Sequence, residues 1–528
     1  MRKALSITKA NDLYLISLLL LVTVGAVAQQ VHFSLGLMLT EVVCILLPAW
    51  GMLRWQKVEV KSSTRLRWPG WVAALLSLLL GAAAWQVGIL LEVLTAQWFG
   101  YTPGLPPNAL PQTTAQAVLY FIALAVFAPL CEEFFFRGVL LRSWQRKGVR
   151  AALWAGSLLF IFYHLRLQGL LGLVPVAFLL TWLVWRTDSL FSGVLAHFAN
   201  NALAVLYTVL SIQYPQIKLP FPSAAAAGVG LVVLVAGIWL LRRITPAPPA
   251  FEPGEEPAEP MARGIIRTAP RTRALMPLVL AGMIYLFMAG FEFISGRYPE
   301  LLAEGNLALA RPALGQPLQL AYEIRNPLDA AVGNLDCTLT PAAGELQLAC
   351  RQQAEGYQAQ EGSSYWQNES YTDSWSAAWS GDTSGLAAYQ SDYQGENGAR
   401  SYRLDVQPGS LTLHIQAAES SHTIGLIPST LVEQEAPWRL MGLTFRTGLV
   451  QKAVFLSPLR YQADLGISGP STHDLAVMVV GADLLNLPAG RILTWQVKVG
   501  DEFTAWYEVQ APHRLVKLET QMETYLLK

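Results

Sequence analysis

About nine stretches of this chain are apolar enough, and long enough, to read as bilayer-crossing helices, which need ~20 residues each. They cover residues 13–28, 31–53, 69–94, 114–141, 151–165, 169–185, 189–210, 223–241 and 275–294. The fifth and sixth are short, which suits tilted, broken or partly re-entrant segments. Composition agrees with this reading. Hydrophobic residues make up 53% of the 528 and charged residues only 14%, against roughly a quarter charged in soluble proteins. Formal net charge is zero, so electrostatics gives no ground for a nucleic-acid partner. Met1-Arg2-Lys3 precedes the first apolar run, which lacks a small-residue cleavage site and is expected to stay as an anchor.

Orientation follows from the basic residues, which favour cytoplasmic loops. Arg2, Lys3 and Lys9 precede the first span, and Arg54, Lys57, Lys61, Arg65 and Arg67 follow the second. Arg142, Arg146, Lys147 and Arg150 follow the fourth, and Arg242 and Arg243 follow the eighth. If all nine spans cross, these clusters share one side. The opposite loop from Gln97 to Thr113 has no basic residue. The N-terminus is therefore expected in the cytoplasm of a multi-pass protein of the cell membrane, with the lipid bilayer as its surroundings.

Four segments follow. Residues 1–243 form a multi-span membrane domain. Residues 244–273, where prolines alternate with Glu252, Glu255, Glu256 and Glu259, read as an extended cytoplasmic linker. Residues 274–295 form one further span, delivering 296–528 to the outer side. That last segment is expected to be mostly β. Arg491–Val499 alternates, turns at Gly500-Asp501 and resumes through Phe503–Val509, a hairpin signal. Cys337 and Cys350 flank Pro341-Ala342-Ala343-Gly344, where a hairpin would bring them within disulfide reach. A disulfide fits an oxidising compartment. Cys44 and Cys131 lie inside apolar spans and read as buried thiols. The Tyr-, Trp-, Ser- and Gly-rich stretch 357–393 reads as long loops whose aromatics pack on the sheet, or else as a ligand-contacting surface.

The chemistry concentrates in Cys131-Glu132-Glu133-Phe134-Phe135-Phe136-Arg137. Charges at membrane depth cost a few kcal/mol or more and mark function. Residues four apart share a helix face, so Glu133 and Arg137 can pair, while Glu132 points about 100° away. A carboxylate in a dry site can act as a base toward water. His197 and Asn201 are also four apart and can hold an oxyanion from one face. Among the seven histidines, only His164 and His197 lie well inside apolar spans. The bland alternative is a buried ion pair and helix-packing histidines.

Glu132-Glu133-x-x-x-Arg137, Phe160-x-x-x-His164 and His197-x-x-x-Asn201 together resemble the three motifs of the CPBP family. This family groups CAAX-processing and bacteriocin-processing or Abi-type membrane proteases. The resemblance covers about 114–210, the expected protease core. It implies a polytopic α-helical intramembrane endopeptidase acting on a membrane protein or peptide. Glu132 and His164 would activate water, His197 and Asn201 would stabilise the oxyanion, and Glu133 and Arg137 would order the site. The family has also been described as metalloproteases. Zinc would then use Glu132, His164 and His197, a reasonable donor set with an open position. The metal-independent glutamate mechanism is the favoured reading, with no cofactor. Nothing in the sequence points to a prenyl substrate. The appended outer β domain suggests a bacterial inner-membrane protein, with an envelope partner for that domain. The remaining alternatives are a non-catalytic scaffold or immunity protein of the same fold, and a transporter using Glu41, Glu92 and Glu132.

Overall fold

A computed structural model describes residues 4–99, 106–213, 223–246, 248, 271–342, 344–359, 366–381, 385–395, 398–407, 410–415, 420–425, 430–462, 467–487 and 490–528. The Pro/Glu-rich stretch expected as a linker lies largely outside these residues. The chain divides into two compact units. One comprises Met1–Thr102 and Pro111–Arg297, the other Pro103–Leu110 and Tyr298–Lys528.

The first unit is helical. Among the described residues, eight helices are long and apolar enough to cross a membrane. In chain order with one shorter helix they are α1 Ile7–Val31, α2 Phe33–Trp55, α3 Trp71–Ala96, α4 Thr114–Lys147, α5 Val149–Tyr163, α6 Leu170–Thr187, α7 Leu190–Ser211, α8 Ala224–Ile244 and α9 Thr272–Arg297. The shorter one is α5, with 15 residues. At 1.5 Å per residue it covers about 22 Å, less than the ~30 Å hydrocarbon core. This is a multi-pass membrane protein.

Small residues let the helices approach. A Cβ on Gly81 of α3 would lie 1.9 Å from the Ala196 carbonyl oxygen of α7, and one on Gly88 would lie 2.6 Å from the Gly172 carbonyl oxygen of α6. Between membrane helices such backbone contact stands in for hydrophobic association, because lipid tails are themselves apolar. Helix α4 begins at a capping box in which Thr113 and Gln116 satisfy each other's backbone N–H groups. It widens into π-type turns over Ile122–Phe127 and Phe134–Leu140. Pro129, which has no N–H to donate, lies between them. Such local widening is frequent at functional sites, and Glu132 and Glu133 sit at its edge.

Among the described residues the second unit is a 15-stranded sheet. Its strands are β1 Leu318–Arg325, β2 Ala331–Ala342, β3 Glu345–Ala359, β4 Trp366–Ser380, β5 Gly385–Gly395, β6 Gly398–Gln407, β7 Ser410–Ile415, β8 Ser420–Gly425, β9 Thr430–Val432, β10 Val450–Gln462, β11 Ile467–Leu487, β12 Gly490–Val499, β13 Phe503–Glu508, β14 Leu515–Thr520 and β15 Thr524–Leu527. Strands β1 to β8 and β10 to β15 form two meanders joined through β1 and β15, and β9 adds at the edge beside β10. All pairings are antiparallel except β9 with β10. Cys337 and Cys350 face each other across β2 and β3 and are disulfide-bonded.

The described part of the aromatic stretch 357–393 is not loop. It forms the end of β3, then β4 and most of β5, with Tyr371, Trp375, Trp379 and Tyr389 buried in the core. A short helix, Ala436–Arg439, closes over that core. Its Pro437 carbonyl accepts from the Tyr507 hydroxyl at 2.7 Å, and Glu435 accepts from the Trp379 indole at 2.9 Å.

Candidate active site

Helix α4 supplies Glu132, Glu133 and Arg137, the end of α5 supplies Phe160 and His164, and α7 supplies His197 and Asn201. Glu133 and Arg137 are completely buried, and Arg137 Nη1 donates to Glu133 Oε1 at 2.6 Å. A buried ion pair is stable only where further hydrogen bonds compensate its lost hydration. Arg137 has one such bond and a cation–π contact. Its Nη2 donates to the Ala177 carbonyl of α6 at 3.3 Å, and its guanidinium lies 4.2 Å from the centre of the Phe160 ring.

The same Glu133 oxygen is 3.0 Å from His197 Nδ1. Glu133 paired with Arg137 is an acceptor, so His197 Nδ1 is the donor. This fixes the ring's orientation and leaves Nε2 facing Glu132 Oε2 at 3.8 Å. That gap is too long for a direct hydrogen bond. Glu132 Oε2 has no hydrogen-bond partner among the described residues. The Glu132 side chain is 12% exposed, the most open of the three. Glu132 is therefore an uncommitted carboxylate beside an oriented imidazole.

Gly193, one helical turn before His197, makes room for this arrangement. A Cβ there would lie 2.6 Å from Glu133 Oε2. His164 sits where α5 ends. Its Nδ1 donates to the Phe160 carbonyl at 2.9 Å, which leaves Nε2 as the acceptor of the neutral ring. The Phe160 ring lies between the two histidines, 4.8 Å from His164 and 5.7 Å from His197 by ring centres. Asn201, on the same face of α7 as His197, is anchored to α4. Its amide donates to the Leu124 carbonyl of α4 at 2.9 Å and accepts from Asn200 at 3.0 Å. One carboxylate outside the three motifs belongs to the same neighbourhood. Glu41 of α2 is buried, within electrostatic reach of Glu132, and its Oε2 has no hydrogen-bond partner among the described residues. Its depth in an apolar run was the only signal available for it.

Among the described residues no three of His, Cys, Asp and Glu converge as a metal site requires. The arrangement provides a carboxylate oxygen without a hydrogen-bond partner beside an imidazole oriented by a buried ion pair.

Neither a curated protein nor a solved structure matches this chain. Residues 114–203, which hold all three motifs, match the family model described as type II CAAX prenyl endopeptidase Rce1-like, so this part of the chain is similar to the CAAX-protease family that its motifs resemble.

Proposed function

We propose that this protein is an intramembrane endopeptidase that hydrolyses a peptide bond in a membrane-associated protein or peptide. The observation that carries the reading is the relation of Glu132 to His197. A carboxylate oxygen without a partner faces an imidazole nitrogen across 3.8 Å, and the other imidazole nitrogen is tied to Glu133. A water bridging the two would be held by both groups. Glu132 takes a proton from that water as its oxygen attacks the substrate carbonyl carbon. The same proton then passes to the departing amine. His164, held through Phe160, shares the proton transfer. His197, held by Glu133 through Nδ1, donates to the oxyanion through Nε2 in its doubly protonated form. The Asn201 amide has a second N–H to offer beyond the one given to Leu124.

The test uses purified full-length protein and a panel of membrane peptides. Glu132→Gln keeps shape and reach but cannot serve as a base. It is expected to abolish cleavage while the protein stays folded and inserted. Asn201→Ala is expected to cost less, roughly 10²–10³ in rate, the usual loss for one oxyanion donor. Full activity of Glu132→Gln would exclude the glutamate mechanism and leave a scaffold or immunity role. Inhibition of the wild type by a chelator, reversed by added zinc, would instead establish the zinc-dependent version using Glu132, His164 and His197.

A further inference from the structure

Helix α9 lies outside the family-matched segment and leads directly into the β unit, yet one of its faces is built into the helical unit. Ala281, Tyr285 and Ala289, spaced four apart, are buried, while Met283, Leu286 and Phe287 are exposed. The Ala274 carbonyl accepts from the Asn11 amide of α1 at 2.7 Å. The Tyr285 ring packs edge-on against Phe162 of α5, 4.8 Å between centres.

Near its end α9 reaches the turn that follows His164. Only six residues, His164 to Gly169, connect α5 to α6. The Glu292 carboxylate accepts from the backbone N–H of Leu167 through one oxygen and from that of Gln168 through the other, the latter at 2.9 Å. Two charge-assisted bonds to consecutive backbone donors form a rigid clamp. They also lie just before α6, whose N-terminal dipole favours a carboxylate. The clamped turn contains strain. Leu165, adjacent to His164, has φ +51°. The left-handed region is unfavourable for a residue with a Cβ, which there crowds the following carbonyl. A residue stays there only where its surroundings hold it.

We propose that Glu292 is a positioning residue for His164, its carboxylate fixing the strained turn that aims the imidazole at the site. The proposal rests on the reading of His164 as part of a protease site. It makes the appended helix α9 part of the catalytic body as well as a tether. Glu292 acts through the backbone and touches no reacting atom.

The experiment compares wild type, Glu292→Ala, Glu292→Gln and Glu292→Asp as full-length protein in lipid nanodiscs. Three readouts are taken: deuterium exchange of the peptide covering 164–169, the rate of His164 modification by diethyl pyrocarbonate, and kcat and KM on the membrane-peptide panel. Glu292→Ala should raise exchange and change the modification rate several-fold. It should also lower kcat roughly 10- to 10²-fold, as misplacement of a reacting group does, with KM little changed. Glu292→Asp, which keeps the charge on a shorter stem, should recover part of each. Glu292→Gln, with one acceptor oxygen, should fall between and serves if the alanine variant does not fold. Exchange and His164 modification equal to wild type in both the alanine and the glutamine variants would overturn the proposal. If the wild type cleaves none of the peptides, the protease reading fails, while exchange and modification still decide whether Glu292 holds the turn.

Discussion

Gly193 sets how closely the Glu133 carboxylate can lie against α7. A methyl group there would meet Glu133 Oε2 and Val184 Cγ2, each at 2.6 Å. Real Cβ atoms do not come so near, so in Gly193→Ala the carboxylate must move. Its other oxygen binds both Arg137 and His197, so the displacement loosens the ion pair and turns the imidazole together. The expected result is a loss of about 1–3 kcal/mol, the usual cost of overpacking a filled interior, with a marked fall in cleavage. Thermal unfolding in detergent, beside the peptide assay, reads both. Gly228→Ala is the control, because nothing lies within 4 Å of its new methyl. Equal stability and activity in the two variants would refute the role given to Gly193. The pairing of Glu133 with Arg137 is legible in the sequence because helix geometry puts residues four apart on one face. The bond from Glu133 to His197 joins residues 64 apart. Spacing within a helix carries no information on which helices meet, so that bond, the place of Glu41 and the engagement of Asn201 by Leu124 were not legible.

Apolar run length marks the helices, since hydrocarbon thickness fixes how many residues a span needs. How the helices touch is less legible, because it depends on which glycines meet a neighbour. Gly51 of α2 and Gly81 of α3 look alike in sequence, yet a Cβ on Gly51 meets nothing within 4 Å, whereas one on Gly81 meets the Ala196 carbonyl at 1.9 Å. Gly51→Ala is therefore expected to be neutral or to stabilise by up to about 1 kcal/mol, the helix-propensity difference. Gly81→Ala should force α7 away from α3. Ala196 precedes His197, so this shift should lower both the unfolding midpoint and the cleavage rate. Matching effects of the two substitutions would contradict the close α3–α7 crossing. In the β unit, Tyr371, Asp373, Trp375, Ala377 and Trp379 alternate inward along β4. Interleaved Ser and Thr gave that stretch a turn-like composition, which hid a period-two strand from a reading based on residue types.

Membrane topology joins the two units through the chain, and several observations bear on it. The Arg and Lys clusters around residues 2–9, 54–67, 142–150 and 242–243 fall on one side if α1 to α9 each cross, α5 included. Glu292 near the end of α9 binds the turn between α5 and α6, so those ends lie at the same face of the helical unit. The loop between α3 and α4 has no basic residue. A disulfide between Cys337 and Cys350 persists in an oxidising compartment. We propose one topology, with the N-terminus in the cytoplasm and residues 296–528 outside. Reporter fusions after Lys61, Glu256 and Gly425 test it, the first two expected to report cytoplasm and the third the outer side. Thiol labelling of unreduced, unfolded protein gives an independent arm, with Cys44 and Cys131 labelling and Cys337 and Cys350 silent. A cytoplasmic report from Gly425 would mean that α9 does not cross. Glu292 would then have to reach the turn after His164 from a helix lying along the membrane, and the positive-inside reading of the earlier loops would no longer extend to the β unit.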